Sequence, residues 1–395
     1  MASKGIRDRV AIVGMGCTAF GERWDKSASD LLIDAANDAY ASAKMDPEQI
    51  DAYWLGTTGS GISGLTLSLP LKIQYKPVTR LENMCATGSE ALRNACYAVA
   101  SGAYDTAMAI GVEKLKDSGF SGLTGNAPPN DGTDTGITAP ANFSFLAPAY
   151  AKKYGVEMDQ LKDVISRIAW KNHYNGARNE RAQFRKEVPI ERIKASPKVA
   201  GCLGIFDCSG VSDGAAAAII CRVEDAHKYN DNPIFVKALS FIAGPAEGSM
   251  RQDYDFTSFT EVVASAKDAY LQAGVTDPRE EISMAEVHDC FTPTELVLME
   301  DLGFSERGQA WKDVLDGRFD LKGAQPVNPD GGLKSFGHPI GASGLRMMYE
   351  MWLQLRGEAG PRQIDNPKLG LTHNLGGAPG RCVSFVSVVG TELSE

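Results

Sequence analysis

Residues 35–56 read AANDAYASAKMDPEQIDAYWLG, and residues 265–289 read SAKDAYLQAGVTDPREEISMAEVHD. Ala36, Asp38, Ala39, Tyr40 and Ala43 of the first stretch match Ala266, Asp268, Ala269, Tyr270 and Ala273 of the second. After one extra residue, Asp46-Pro47 then matches Asp277-Pro278. Each copy is an amphipathic helical pattern, an Asp-Pro turn and a short apolar run. Two unrelated Ala-rich helices can share apolar positions by chance, but the shared turn argues for a duplication.

The rest of the chain extends this pattern. Apolar runs at Val10–Val13, Thr106–Ile110 and Ala215–Cys221 predict buried strands, and they alternate with helical patterns at Ser29–Lys44, Ser89–Ser101 and Phe259–Ala273. Such alternation predicts an α/β layered fold. CATGSEALRNACYAVASG (from Cys85) and GHPIGASGLRMMYEMWLQLRG (from Gly337) are each a glycine-bearing turn running into a helix. Each is followed by a strand-like run, at Thr106–Gly111 and at Lys368–Leu371. The expected organisation is two similar halves, residues 1–118 plus 206–230 and residues 231–395. Between them, residues 119–205 form an inserted, substrate-covering region with no counterpart in the second half. The insert is first rich in Gly, Pro and Asn and then reads as helical and basic, KNHYNGARNERAQFRK (from Lys171).

Composition excludes several function classes. The 395 residues are 43% hydrophobic and carry a formal net charge of -10, which disfavours nucleic-acid binding and leaves ample core for an enzyme. There is no apolar run of about 18 residues, and MASKGIRDRVAIVGMG enters a strand-like run too early for a signal peptide; a cytoplasmic location is expected. The eight cysteines contain no CxxC pair and the five histidines are scattered, so neither a structural zinc site nor a disulfide framework is expected. GMGCTAFG near the start has the wrong glycine spacing for a dinucleotide loop.

Four segments carry candidate chemistry. Cys85 in ENMCATGSEALRNAC precedes a helix whose N-terminal dipole would favour a thiolate, although a cysteine there can also be purely structural. EVHDCFTPTE (from Glu286) sets His288, Asp289 and Cys290 together, which suits metal ligation, redox chemistry, thiol catalysis or loop filling. GGLKSFGHPIGASG (from Gly331) holds His338 in a glycine-rich turn as a candidate base. LTHNLGGAPG (from Leu371) ends in what reads as a glycine turn able to cradle an anion.

In this order (CxTG, HDCF, GHP, HNxGG), the segments resemble the thiolase superfamily, and within it the branch of sterol-carrier-protein-type and archaeal thiolases. The resemblance runs from about Val10 to Gly390. It implies the thiolase fold, two duplicated α/β halves in five αβαβα layers with an inserted loop domain. It also implies roles. Cys85 would be the acyl-carrying nucleophile, and His338 its base and an oxyanion donor. His288 would be a second oxyanion donor, and Cys290 the acid/base at the acetyl-CoA α-carbon. Ordinary thiolases place their second cysteine where this chain has Leu375, which leaves Cys290 as the available thiol. The N–H groups of Cys85 and Gly377 would form a second oxyanion hole.

By the same resemblance no permanent cofactor or metal is expected, and coenzyme A and acyl-CoA are substrates. Arg178, Arg181 and Arg185 are candidates for the CoA phosphates, against the alternative of a solvated helix face. Phe120, Phe143 and Phe145 could line an apolar acyl pocket, as for the benzoylsuccinyl-CoA thiolases. A homodimer is expected, with a small OB-fold/zinc-ribbon protein as a further partner. An acetoacetyl-CoA thiolase and a thiolase-like aldolase remain alternatives.

Overall fold

In the computed structural model, residues 5–118, 137–248 and 251–394 are described. Phe120 lies outside them. The first part of the chain runs β1 (Val10–Cys17), α1 (Ala28–Ala43), β2 (Ala52–Gly56), α2 (Leu65–Ser68), β3 (Val78–Leu81), α3 (Thr87–Ala100) and β4 (Thr106–Glu113). An excursion follows with α4 (Ala139–Phe143), α5 (Leu146–Tyr154), α6 (Met158–Gly176), α7 (Ile190–Lys194) and the two-stranded pair β5 (Lys198–Ala200) and β6 (Leu203–Gly204). The chain re-enters the sheet as β7 (Gly214–Arg222), then passes through α8 (Ala226–Tyr229), β8 (Ile234–Ala243), α9 (Thr260–Ala273), α10 (Pro278–Glu281) and β9 (Met284–Glu286). It finishes with α11 (Thr292–Asp301), α12 (Ala310–Leu315), α13 (Gly332–Ser335), α14 (Ser343–Leu355), β10 (Leu369–Ala378) and β11 (Arg381–Gly390).

Nine strands form one sheet in the order β3-β2-β4-β7-β1-β8-β11-β10-β9. The duplication is visible in that order. Reading outward from the antiparallel β1–β8 contact, where Ala11 faces Phe235, β7 corresponds to β11, β4 to β10 and β2 to β9. Where β4 and β7 are joined by the long excursion, β10 and β11 are joined only by Pro379-Gly380. The repeated turn has one physical cause in both copies. α1 and α9 each end on a left-handed residue, Lys44 (φ 53°) and Gly274 (φ 76°), and the next turn starts with Asp before Pro at the first helical position.

Helices complete the five layers. α1 packs outside the first half and α9 outside the second, while α3 and α14 lie against each other between the two halves of the sheet. Separate apolar clusters fill the spaces. One joins α1 to β1, β4 and β7; a second joins α3 and α14 to the inner sheet faces; a third joins α9, α11 and the excursion helices. The glycines of GMGCTAFG serve this packing: a Cβ on Gly14 would lie 2.6 Å from the Ala39 carbonyl oxygen of α1. The excursion is not isolated, since α6 packs against α11, α12 and α13 of the second half.

Candidate active site

Cys85 sits between β3 and α3, two residues ahead of the first helical residue, Thr87. The elbow is tight. Met84 adopts a left-handed φ of 51°, a conformation costly for a non-glycine residue. Thr87 clasps it: the Asn83 N–H donates to Thr87 Oγ1 at 2.9 Å, and that hydroxyl donates to the Met84 carbonyl at 2.5 Å. Cys85 stays partly exposed as a result.

His338 arrives from the second half on the loop before α14. Gly341 of that loop lies against Gly56, Gly88 and Gly111; a Cβ on Gly341 would come within 2.7 Å of the Gly56 carbonyl, and one on Gly88 within 2.8 Å of the Gly341 carbonyl. Buried Glu113 at the end of β4 accepts from the Gly341 N–H at 3.0 Å and also holds Thr57, Thr58 and Gly59. The His338 N–H donates to Ser212 Oγ at 3.0 Å. Ser343 Oγ lies 2.7 Å from His338 Nδ1 and 3.0 Å from the Pro339 carbonyl; with its hydrogen assigned to that carbonyl, the hydroxyl accepts from the ring. Nδ1 therefore carries the ring proton. Nε2 is buried without a protein partner and keeps a lone pair.

The HDCF segment follows β9. The Val287 N–H donates to Asn328 Oδ1, fixing the start of the segment. Asp289 is structural: it accepts from the Leu333 and Lys334 N–H groups and from Asn172 Nδ2. The Cys290 carbonyl accepts from the Ser209 N–H at 2.8 Å, and Cys208 bridges Phe291, so the returning end of the excursion clamps the cysteine. Cys290 Sγ lies 3.9 Å from Thr294 Oγ1.

The donor atoms of Cys85, His288 and His338 all lie within 4.8 Å of one another, and the two imidazoles meet edge to face with ring centroids 5.5 Å apart. Among the described residues this is the one set of three such donors close enough to share a metal ion. Cys290 is near enough to Cys85 for the two sulfurs to affect each other's charge.

The electrostatics are those of a mostly buried site, in which Cys85, alone of the four side chains, keeps part of its surface exposed. Burial, with Glu82 adding, pushes the Cys85 thiol up to about 12. Burial thus opposes the dipole expected to favour a thiolate at Cys85, and it raises the Cys290 thiol as well. Burial holds the His338 imidazole down at about 3, with the Arg346 cation adding. His288 is also held neutral, by burial and then by its neighbours His338 and His373. The cluster thus offers a thiol, a second thiol and two neutral imidazoles, a set suited to proton transfer coupled to sulfur attack.

Two readings of local structure change. LTHNLGGAPG is not a strand ending at Leu371 followed by a turn; β10 runs to Ala378, and the turn is Pro379-Gly380. Gly377 (φ 117°) pairs with Cys382, whose carbonyl is turned to Gly244 of the neighbouring chain segment, so the pair does not exchange hydrogen bonds and the Gly377 N–H points away from β11. The basic run is not a helix face either. α6 stops at Gly176, where a Cβ would strike Ser335, and the chain continues as a strap beneath the His338 loop. The Gln183 and Phe184 N–H groups donate to the Phe336 and Ser335 carbonyls. Arg178 pairs with Glu187 and stacks on Tyr174, and Arg181 pairs with Asp38 and the Cys17 carbonyl. Arg185 is exposed, with one contact to the Glu180 carbonyl.

Phe143 is buried against Phe291, next to Cys290, with ring centroids 4.9 Å apart, whereas Phe145 stacks half-exposed on Phe256. Sequence reading did not single out Ser343, Ser212 or Glu113. Ser343 lies within the His338 motif, five residues after the histidine, and Ser212 within SGVSDGAAAAIIC (from Ser209). Leu375 is fully buried and offers no chemistry.

Comparison with known proteins agrees along the chain. Residues 10–202 match the family model described as "Thiolase, N-terminal domain", and residues 244–388 the one described as "Thiolase C-terminal domain-like". An acetyl-CoA acetyltransferase of Methanothermobacter thermautotrophicus is 37% identical, covering 95% of this chain and 98% of that protein. Sterol carrier protein 2 of Bos taurus is 32% identical over 94% of this chain and 70% of its own length. A solved structure described as "Ltp2-ChsH2(DUF35) aldolase" shares the fold, with a TM-score of 0.83 at 22% identity over 99% of this chain and 100% of that one.

Proposed function

This chain belongs to the thiolase family and is an acyltransferase, and from that premise we propose that it cleaves a 3-oxoacyl-CoA with coenzyme A, or runs the reverse Claisen condensation, through an acyl-Cys85 intermediate. The observation that carries this reading is the placement of the Cys85, His288 and His338 donor atoms within 4.8 Å of one another.

The Cys85 thiol passes its proton to the His338 Nε2 lone pair as sulfur bonds to the substrate C3 carbonyl carbon. When the adduct collapses, the C2–C3 bond breaks and its electron pair goes to C2, releasing the enolate of acetyl-CoA. Cys290 donates its Sγ proton to that carbon. The acyl group stays on Cys85. Incoming CoA gives its thiol proton to the Cys290 thiolate and attacks the acyl carbon, and Cys85 leaves, recovering its proton from His338. Protonated His338, with His288, stabilises the enolate oxygen. The N–H groups of Cys85 and Gly377 stabilise the oxygen of the tetrahedral adduct. Each such donor contributes about 3–4 kcal/mol to a typical oxyanion hole, so losing either histidine is severe.

Incubation with acetyl-CoA followed by mass spectrometry tests the reading. Acetyl is expected on the Cys85 peptide and absent in Cys85→Ala. Cys290→Ala is expected to acetylate normally but to lose exchange of the acetyl-CoA α-protons; retained exchange refutes its acid/base role. An aldolase of the same fold would cleave without an acyl-enzyme, so an unmodified Cys85 in a turning-over sample favours that second reading.

The Phe143–Phe291 pair beside Cys290 supports a bulky or aromatic acyl group, of the benzoylsuccinyl-CoA kind. Thiolysis of acetoacetyl-CoA alone, with aromatic 3-oxoacyl-CoAs untouched, refutes that preference and leaves an acetoacetyl-CoA thiolase. Exposed Arg185 is the candidate for a CoA phosphate. We assign the chain a cytoplasmic homodimer and a small OB-fold/zinc-ribbon partner. The partner is supported by the two-component description of the aldolase of similar fold. No helix among the described residues is long and apolar enough to cross a membrane.

A further inference from the structure

The three side chains at the centre of the site have a second chemical property. Cys85, His288 and His338 present one sulfur and two nitrogens, all mutually within 4.8 Å. For three donors so placed some point lies no more than about 2.8 Å from all of them (4.8/√3), while tetrahedral zinc needs about 2.0–2.3 Å. Small side-chain rotations close that gap. Both imidazoles keep a buried ring nitrogen without a protein partner, Nε2 of His338 and Nδ1 of His288. The bond from His338 Nδ1 to Ser343 Oγ does what supporting bonds do in zinc proteins: it fixes the tautomer and aims the other nitrogen at the ion. One soft thiolate and two imidazoles select zinc over magnesium or calcium, which need oxygen donors.

We propose that Cys85, His288 and His338 form a reversible zinc-binding site that holds the resting enzyme inactive, with a water as fourth ligand. On binding, the Cys85 S–H bond is replaced by an S–Zn bond and the proton goes to solvent; no electrons are transferred. A metallated Cys85 cannot take an acyl group and His338 cannot accept a proton, so acyl transfer stops until the metal is removed. This goes beyond the catalytic reading, and the binding half of the test needs no substrate.

The test titrates the reduced full-length chain with zinc chloride, anaerobically and without added thiols, against a competing zinc indicator. One zinc per chain is expected. X-ray absorption should show one sulfur and two imidazole ligands, and acyl transfer should fall in step with occupancy and return with EDTA. Supporting groups alone typically change zinc affinity 10–100-fold, so Cys85→Ser and His338→Asn, as direct ligands, should weaken it by roughly 100-fold or more. Exposed His227→Ala should leave binding and inhibition unchanged. Zinc without a sulfur ligand in the wild-type spectrum overturns the proposal whether or not the variants fold. So does undiminished binding by folded Cys85→Ser, or full activity with one zinc bound.

Discussion

Cys85 and His338 are set by opposing effects whose balance only the folded environment decides. A helix end close by favours a thiolate by about 0.3–1 kcal/mol at exposed sites. Burial and the Glu82 carboxylate act the other way and prevail, leaving the thiol at about 12. Below that value the thiolate fraction grows in proportion to hydroxide. Inactivation by iodoacetamide should therefore accelerate about tenfold per pH unit from pH 7 to 10. A plateau in that range would mean a preformed thiolate–imidazolium pair and contradict the assignment. His338 gives a second prediction. Ser343→Ala removes the acceptor that holds its proton on Nδ1, so Nε2 no longer has its lone pair in every molecule. A lost hydrogen bond of about 0.5–1.5 kcal/mol corresponds to a fall in kcat of about 2- to 10-fold. KM for CoA should stay unchanged and Ser343→Thr should recover part of the loss; equal falls in kcat for Thr and Ala would point to packing instead. The motifs holding Cys85, His288, Cys290 and His338 were legible in the sequence because these residue types are uncommon and clustered. Ser343 was not, because a serine at a helix start is ordinarily only a cap.

Elements bring these residues together by close approach rather than by long reach. The Cys85 elbow precedes α3, Cys290 precedes α11 and His338 precedes α14, so three helix starts converge on one cleft. The His338 loop reaches the first half only because glycine meets glycine there. A Cβ on Gly111 would lie 2.9 Å from the Gly341 carbonyl carbon and 3.1 Å from the Ala342 Cα, both rigid backbone. Gly111→Ala should thus destabilise by about 1–3 kcal/mol, the usual cost of overpacking, and depress acylation of Cys85 by displacing His338. Gly59→Ala, whose new Cβ meets nothing nearer than 3.7 Å, is the matched control and should unfold at the wild-type temperature. Equal melting temperatures for both variants would show that the loop has slack. Glycine is also where the sequence misled. Gly376-Gly377 looked like a turn, yet Gly376 is extended β10 backbone kept bare because a Cβ would sit 2.6 Å from the Asn83 carbonyl behind Cys85. The duplicated helices were legible since each stretch repeats both apolar face and cap. The end of α6 was not, because it is decided by contact with Ser335, distant in the chain.

Across the molecule, the second half holds a buried ionic network beside the apolar α3–α14 contact that joins the halves. Arg346 of α14 pairs with Glu286 at the end of β9 and with Asp330, all three fully buried, and Glu350 pairs with Arg362 alongside. No pattern in the sequence announced this network, because its partners lie on separate elements and charge composition carries no pairing information. The outer margin is different. Among the described residues β3 pairs only with β2 and ends the sheet, and a bare sheet edge invites another strand. The chain before β3 exposes Ile62 (96%), Leu65 (77%), Leu69 (86%) and Tyr75 (104%), and after it Met84 of the Cys85 elbow is partly uncovered. Each such side chain forfeits about 1.5–3 kcal/mol while it faces water. A second copy meeting the first across this margin would cover the apolar side chains, satisfy the edge and press on the elbow that presents the nucleophile; such a contact between identical surfaces closes as a dimer. Light scattering on the purified chain should accordingly give the mass of two chains. Leu69→Glu with Tyr75→Glu should give one, because burying two carboxylates costs more than the remaining apolar contacts return. Thiolysis by the monomer should fall with it, since Met84 and Cys85 lose their support. A wild-type monomer with full activity would show that this margin faces something other than a copy of itself.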